Sequence, residues 1–348
     1  MNFSANDLKE LAQFADSETM KEVQLPQPRE GNEFPIVTRL ITNVFSSFKQ
    51  QGLLLLPELR THSETIAVFS DYGGEAPDSL YNTYSFLVCG YNQLSFFLNL
   101  MRKLREVNFP ANQRDKEYAF KDRGFGPIER SLKDYLRTLD AVPGLLFTLV
   151  VSKKVHGLLT VTDSTDAPGA TAILDQAGFG VWKPPIARKV LLICHVIAYL
   201  VALLSRDQQK ILWMSHGDAI TAGAKHQQAI NILGSILPHY TTNTFARIGG
   251  AAPFPKPETD FRDLLSAADL AAGAFEHYFT RLARSNLEEL TVDHRSDWIM
   301  QWLAYHGLLL NKHAIMITPG DHGLVHGGYI TLNLVQPLSN TLTIALKR

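Results

Sequence analysis

The sequence predicts an α/β fold in which a mixed central sheet is flanked by helices. Short β-branched and apolar runs bounded by turn residues alternate with longer segments whose apolar residues recur at helical spacing. In addition, 45% of the residues are hydrophobic and 19% are charged, which is typical of a soluble globular protein. The main predicted strands are 65–71, 81–90, 145–152 and 210–215, and the main predicted helices are 93–107, 128–139, 186–205 and 263–282.

Three shorter elements join these. Residues 117–121 have the pattern of a short strand, 219–236 that of a helix, and 241–248 that of a further strand. The 348 residues are enough for one large or two ordinary domains, and neither an internal repeat nor a clear linker divides them. We therefore expect one core domain, 63–285, with an extension at each end.

The two extensions have different patterns. Residues 1–62 contain a segment with helical spacing, 37–49, and predict a helical lead-in. Residues 286–348 predict an α+β extension, in which helix 296–305 precedes strands 314–318 and 329–335 around a Gly-rich turn. Either extension is a candidate contact for a second copy of the chain or for a protein partner.

The charge balance excludes some partners. Lys plus Arg is 33 and Asp plus Glu is 34, so the net charge of -1 provides no global attraction for nucleic acid. A local patch is available between Arg102 and Arg123, with Arg130, Lys133 and Arg137 beyond it. These cations either attract phosphates or form an ordinary solvated helical face.

Several features favour a cytoplasmic protein without a membrane segment. Cys89 and Cys194 lie in apolar runs and lack the paired spacing of a zinc site, so we expect reduced core thiols. The N-terminus shows no secretory signal pattern. The longest apolar run, 190–204, is shorter than the ~20 residues that a membrane span needs, which favours a buried helix.

Strand 65–71 ends in Asp71, followed by Tyr72, Gly73 and Gly74. A strand fixes its backbone through ladder hydrogen bonds, so a carboxylate at its end is aimed more rigidly than one on a free loop and is well placed to hold a metal. The alternative is an ordinary turn, since Asp and Gly are both common in turns.

Two further acids occupy comparable positions. Asp218 follows strand 210–215 through His216 and Gly217, where a loop or helix N-cap role is the alternative. Asp269 lies in a helical stretch of small and apolar residues, where an unpaired carboxylate is costly. It is either a metal ligand or an ordinary acid that faces solvent or pairs with a cation.

These motifs occur in an order that resembles the RNase H-like family called domain of unknown function 3800. That family opens with Asp-Glu-Ser-Gly and closes with Leu-Gln-x-Ala-Asp-x-x-Ala-Gly. The closing motif is matched at 265–273, where Asp269 takes the place of the acid. The opening motif keeps Asp71 and Gly74 but has Tyr72-Gly73 where Glu-Ser is usual. The resemblance covers about residues 64–285.

The resemblance implies an RNase H-like nuclease that uses clustered carboxylates and two Mg²⁺ or Mn²⁺ ions to hydrolyse phosphodiester bonds in DNA or RNA. Asp71 would be the bridging ligand, Asp218 and Asp269 would complete the set, and Glu117 is the candidate for a fourth ligand. Lys121 would contact phosphate or transition-state charge, as would Lys153 and Lys154, unless these lysines are simply solvated.

The histidines allow other interpretations. His216 is either a ligand or proton shuttle, or a partly buried loop residue. His306, His313, His322 and His326 surround Asp321, but they lack the spacing of a zinc site, so a zinc hydrolase is a lesser alternative. The departures at Tyr72-Gly73 and at Asp218 support a further alternative, a binding or scaffold protein that retains the fold without catalysis.

Overall fold

The computed structural model describes residues 19–29, 33–160, 169–222, 225–251, 259–284, 293–321 and 324–332. The described residues contain a seven-stranded sheet with the spatial order β5-β4-β1-β2-β3-β6-β7. The strands are β1 (Thr65–Gly73), β2 (Tyr81–Gly90), β3 (Gly144–Ser152), β4 (Lys210–Ser215), β5 (Arg247–Ala251), β6 (Leu310–Pro319) and β7 (Val325–Tyr329).

The sheet is mixed. Strands β1, β2 and β3 form an antiparallel meander, while β4 pairs parallel with β1 and β5 pairs parallel with β4. On the other side, β6 is parallel to β3 and β7 is antiparallel to β6. The strands predicted for the C-terminal extension therefore join the edge of the central sheet.

Helices cover both faces of this sheet. They are α1 (Ile36–Gln50), α2 (Leu59–His62), α3 (Ser95–Asn108), α4 (Gly126–Leu139), α5 (Ala170–Gln176), α6 (Pro184–Leu204), α7 (Lys225–Ile236), α8 (Thr259–Arg284) and α9 (His294–Leu303). Because side chains alternate along a strand, Ile66 and Val68 of β1 pack in one core with α1, α6 and α7. Ala67 and Phe69 pack in a second core with α3, α4, α8 and α9. The predicted α/β class, a mixed central sheet flanked by helices, is confirmed.

Helix α6 is the most apolar helix of the first core. By length and composition it is the one helix among the described residues that could cross a membrane, with a mean hydropathy of 2.0. However, 72% of that window is buried inside the fold, as in the core helix of a globular protein. The predicted buried helix is thus observed, and it begins at Pro184.

Helix α8 lies directly against β1 and β2. A side chain at Gly73 of β1 would meet Thr83 Oγ1 at 2.6 Å and the carbonyl oxygen of Ala272 in α8 at 3.4 Å. Thr83 Oγ1 donates a hydrogen bond of 3.0 Å to the same carbonyl. The small residues of α8 therefore serve a close approach of helix and sheet, which also brings Asp269 to the end of β1.

One predicted element was wrong, and two others begin later than predicted. Residues 117–121 form a loop ending in a 3-10 turn (Phe120–Asp122) rather than a strand, because Phe120 N bonds to Asp269 instead of to a neighbouring strand. The helix predicted from 219 begins only at Lys225, since Thr221 N closes a turn on the carbonyl of Asp218. Strand 241–248 is replaced by β5, because Thr244 is bound by Asp207 and Gln208.

Other boundaries shift by a few residues. Strand β1 continues past Asp71 to Gly73, because its pairing with β2 continues to Thr83. Strand β6 begins at Leu310 and β7 ends at Tyr329, so both lie earlier than predicted, and 333–335 lie outside the described residues. The three-part division of the chain at 62 and 285 stays a prediction.

Candidate active site

Asp71 lies where β1 loses its neighbour on one side. The parallel pairing with β4 ends at Ser70 and Ser215, whereas the pairing with β2 continues through Asp71 opposite Ser85. The Asp71 side chain therefore points from a strand that is still fixed on one side, next to the loop that leaves β4. It is 13% exposed and faces the α8 side of the sheet, like Phe69 two residues earlier.

His216 and Glu117, from two other segments of the chain, lie close to Asp71. His216, the first residue after β4, places its Nδ1 3.4 Å from Asp71 Oδ2 and 3.7 Å from Glu117 Oε1. Glu117 comes from the loop between α3 and α4, and its Oε1 is buried without a hydrogen-bond partner. The end of the sheet thus combines carboxylates from a strand and a distant loop around one imidazole.

Asp269 belongs to the same group of charges. Its Oδ2 accepts a hydrogen bond of 2.6 Å from Phe120 N, three residues after Glu117. One turn later in α8, Gly273 leaves room for the Phe120 ring, because a Cβ there would lie within 2.5 Å of Phe120 Cδ1. Glycine in the closing motif therefore lets the loop that carries Glu117 pack against the helix that carries Asp269.

The electrostatics show that these groups interact. Burial raises the pKa of Asp269 above its ordinary value, and the nearby charges of Asp71 and Glu117 raise it further. Burial also raises the pKa of Glu117, with Asp71 adding to the effect. Contact with the Asp71 carboxylate raises the pKa of His216 to about 9, so the imidazole is a cation at neutral pH. Three acids thus compete for one partly exposed positive charge.

Asp218 is placed differently. Its Oδ2 lies 2.5 Å from the ammonium of Lys189 in α6, and its Oδ1 accepts a hydrogen bond from Ala219 N. Asp218 and Asp71 line the same open cleft. The structure therefore brings Asp71, Glu117 and Asp269 together around His216, whereas it pairs Asp218 with a lysine.

The three predicted phosphate-binding lysines differ in their distance from the carboxylates. Lys121 is exposed and close enough to lower the pKa of Glu117, although burial outweighs it and the pKa is raised. Lys153 Nζ donates a hydrogen bond of 2.8 Å to the carbonyl oxygen of Ala76, and Lys154 is exposed. Of these three, Lys121 has a direct electrostatic link to the carboxylates.

The predicted basic patch lies on the loop and helix beside the acids. Its exposed members in α3, the following loop and α4 are Arg102, Lys103, Arg114, Lys121, Arg130, Lys133 and Arg137. Arg123 is half-buried, where its guanidinium covers the Phe120 ring and its Nε bonds to Asp293. Acids alternate with these cations along α4, where Arg137 lies 3.6 Å from Asp134.

The C-terminal histidines show no zinc site among the described residues. His313 forms two hydrogen bonds of 2.7 Å: Nδ1 bonds to the hydroxyl of Tyr329, and Nε2 bonds to the carbonyl oxygen of Leu55. His306 Nδ1 accepts from Lys312 N at 2.9 Å. These nitrogens hold β6 and its neighbours together, and His322 lies outside the described residues.

The acid group has the oxygen donors and the negative charge that a divalent cation requires, but its side chains do not converge on one point. Mg²⁺ and Mn²⁺ prefer carboxylate oxygens, and a cation would satisfy the unpartnered Glu117 Oε1 and relieve the repulsion that raises the pKa of Asp269. As placed, however, the described residues contain no group of three or more His, Cys, Asp or Glu side chains that converge on one metal position. The imidazolium of His216 lies among these acids instead.

No family model matches the chain, and no curated protein matches it significantly. Among solved structures, it is similar to the crystal structure of the ribonuclease H2 from Pyrococcus horikoshii OT3, at 11% identity. That match covers 69% of this chain and 85% of the other, with a TM-score of 0.29.

Two residues near the site were not predicted from the sequence. Lys189 lies in α6 directly before the apolar run 190–204, and its partner Asp218 comes from the loop after β4. Tyr72 lies beneath the Lys189 ammonium, which is 4.8 Å from the ring centroid. A lysine at the start of a long apolar run was an available signal, because a partly buried ammonium group requires a partner.

Proposed function

We propose that the protein is a metal-dependent nuclease or phosphodiesterase, and a divergent relative of the domain of unknown function 3800 family. Mg²⁺ or Mn²⁺ would be held by Asp71, Glu117 and Asp269. The observation that carries the proposal is the approach of these three acids, from a strand, a loop and a helix, to one imidazole at the end of the sheet.

The bound ion would act as a Lewis acid on a phosphodiester and would lower the pKa of an attacking water. The chain's own residues supply the frame. Strand β1 fixes Asp71, the bond from Phe120 N orients Asp269, and the close packing at Gly273 holds the Glu117 loop against α8. The carboxylates are thereby organised before substrate arrives, which reduces the cost of assembling the site.

His216 is the group that faces the cleft. Its side chain is 43% exposed, more than the Asp71 and Glu117 side chains that it contacts. It is therefore positioned to donate a proton to a phosphate oxygen or leaving group. Lys121, exposed beside Glu117, would add positive charge at the approaching backbone.

The basic surface supports nucleic acid as the substrate. The overall charge of the protein is close to zero, so attraction must come from local cations. Those of the loop and α4 begin at Lys121, next to the carboxylates, and would direct a phosphate backbone to the site. A cleavage assay with both DNA and RNA substrates distinguishes the two.

The test is cleavage of labelled single-stranded DNA, duplex DNA, RNA and an RNA–DNA hybrid with Mg²⁺ or Mn²⁺. We expect Asp71→Ala and Asp269→Ala to abolish metal-dependent cleavage, because each removes a ligand. Asp175→Asn, an exposed acid on α5, serves as the matched control and should retain full activity. Undiminished cleavage in both alanine variants would remove these acids from the site and contradict the proposal.

A second candidate is a nucleic-acid-binding or scaffold protein that has kept the fold without a metal centre. The pairing of Asp218 with Lys189 favours it, because that acid is withdrawn from ligation. This candidate predicts salt-dependent nucleic-acid binding with no effect of Mn²⁺ on thermal stability. The nuclease proposal predicts that Mn²⁺ stabilises the wild type and not Asp71→Ala.

A further inference from the structure

Arg105 of α3 lies within the basic segment 102–123 but not on its surface. Its side chain is only 7% exposed, and its guanidinium packs against the rings of Phe109 and Tyr118. Asp263 of α8 balances the charge, because Arg105 Nε donates 3.1 Å to Asp263 Oδ2 and Nη2 donates to Oδ1. The guanidinium is therefore closed to a phosphate, in contrast to the exposed Arg102.

The remaining donor group of Arg105 holds the loop that carries Glu117. Arg105 Nη1 donates 2.7 Å to the carbonyl oxygen of Arg114 and 2.8 Å to that of Lys116. Backbone carbonyls outside helices and strands need partners of this kind. Since Lys116 directly precedes Glu117, the guanidinium fixes the backbone immediately before the carboxylate.

The backbone after Glu117 is fixed as well. Tyr118 is fully buried, and its ring stacks on that of Tyr135 with the centroids 4.0 Å apart. Two residues further on, Phe120 N donates its hydrogen bond to Asp269. Glu117 thus lies between a fixed carbonyl and a fixed ring, which limits the directions that its side chain can take.

Both attachments of this loop are on one helix. Asp263, which holds Arg105, and Asp269, which binds Phe120 N, are ~9 Å apart along the axis of α8. Residues 116–119 between them are in neither a helix nor a strand. The helix therefore sets where the loop presents Glu117, whose Oε1 lies 3.7 Å from the imidazole described above.

We propose that Arg105 is a positioning residue of the candidate active site, which acts through the loop backbone to bring the Glu117 carboxylate to His216. This inference rests on the proposed function, because it concerns one of the acids of that site. Stability alone does not explain the buried pair with Asp263, since apolar residues of similar size are often as stabilising as a buried ion pair. An apolar side chain could not donate to the two loop carbonyls.

The inference separates two roles within the basic segment. Exposed cations such as Arg102 are available to a nucleic-acid backbone, and their loss should weaken binding and reduce its salt dependence. Arg105 should instead affect the reaction after binding, because misplacing a reacting group by about 1 Å can cost ~100-fold in rate. Its replacement should therefore lower kcat and leave KM within ~3-fold.

The decisive variant is Arg105→Lys, which keeps a positive charge beside Asp263 but lacks the planar fork that reaches both loop carbonyls. The readout is the pKa of the His216 imidazole, measured by NMR on the full chain and assigned with His216→Gln. This pKa is raised to about 9 by contact with Asp71 and, in addition, by the charge of Glu117. We expect Arg105→Lys to lower it as much as Glu117→Gln does, and the double variant to show no further decrease.

Two further variants control the measurement. Arg102→Lys makes the same change about one turn earlier on α3, and it should leave the His216 pKa unchanged. Arg105→Met combined with Asp263→Leu protects the test against misfolding, because replacing both partners of a buried ion pair by apolar residues is often neutral for stability. This variant also lacks donors to the loop and should lower the His216 pKa as Arg105→Lys does.

The contrary outcomes are distinct. An unchanged His216 pKa in either folded Arg105 variant would overturn the inference, as would additive decreases when Arg105→Lys and Glu117→Gln are combined. A raised KM with unchanged kcat would assign Arg105 to substrate binding and would also overturn it. A wild type that cleaves no nucleic acid would contradict the proposed function, whereas the titration would still decide whether Arg105 positions Glu117.

Discussion

The two charged groups on either side of β1 differ in how their charges are balanced. On the α8 side, three acids share one partly exposed imidazolium, and Glu117 Oε1 has no hydrogen-bond partner. On the α6 side, Asp218 faces an ammonium and each of its oxygens has a donor. An unbalanced cluster is costly unless a ligand completes it, whereas a balanced pair is complete by itself. On this comparison we propose that ligand binding occurs on the α8 side.

The largest difference is expected for metal affinity. Glu117→Gln should lower Mn²⁺ affinity by at least ~10–100-fold, because it removes the negative charge and replaces one carboxylate oxygen with an amide nitrogen. Glu75→Gln, on the α6 side, should leave the affinity within ~3-fold. Calorimetric titration of both variants checks the pair. Equal losses would show that the two sides are not functionally distinct.

Packing on the α8 side is expected to be the next most sensitive. Gly273→Ala should destabilise the protein by about 1–3 kcal/mol, because the new methyl group overlaps the Phe120 ring. Gly234→Ala in α7 has room for the methyl group and should stabilise by about 0.5–1 kcal/mol. Urea denaturation measures both. Equal stability changes would contradict the close packing of loop and helix.

The cost of the buried acid should be visible without metal. Asp269→Asn should stabilise the metal-free protein by about 1–2 kcal/mol at pH 8, since it removes a carboxylate whose pKa is raised by burial. The acid is protonated in both states well below pH 4, so the gain should vanish there. Asp218→Asn should instead destabilise at pH 8, because it leaves Lys189 without its main partner. Thermal unfolding at both pH values separates these results.

The smallest effect concerns His216. Its pKa is raised to about 9 in the folded state, so its contribution to stability is complete below pH 6.5 and is lost as the pH rises through 9. The side chain is partly exposed, so we expect His216→Gln to cost less than about 1 kcal/mol at pH 6. Above pH 10 the variant and the wild type should be equally stable. A difference in stability that persists above pH 10 would show that His216 stabilises the fold through packing rather than through its charge.

Local sequence patterns predicted those candidate site residues whose position follows from the residues next to them in the sequence. The apolar run of β1 identified Asp71, and the small residues of α8 identified Asp269 as an acid with too few polar neighbours. Glu117 was predicted as a site residue on a strand, but its position depends on contact with α8, which no local pattern contains. Its assignment as a ligand stays a prediction, as do those of Asp71 and Asp269.

Asp218 shows what the sequence could not reveal. Its position after a strand predicted a ligand, as for Asp71, but the packing of α6 brings Lys189 to it from another part of the chain. Tyr72 had been only a departure from a motif. In the fold it lies beneath that lysine, so one substitution and one distant residue together change the environment of Asp218.

The most direct test of the central claim is Mn²⁺ binding to the wild type, Asp71→Asn and Asp218→Asn, measured by calorimetry at pH 8. We predict that the wild type binds Mn²⁺, that Asp71→Asn loses binding, and that Asp218→Asn retains it. Binding that survives in Asp71→Asn, or that is lost in Asp218→Asn, would contradict the assignment of metal binding to the α8 side of the sheet.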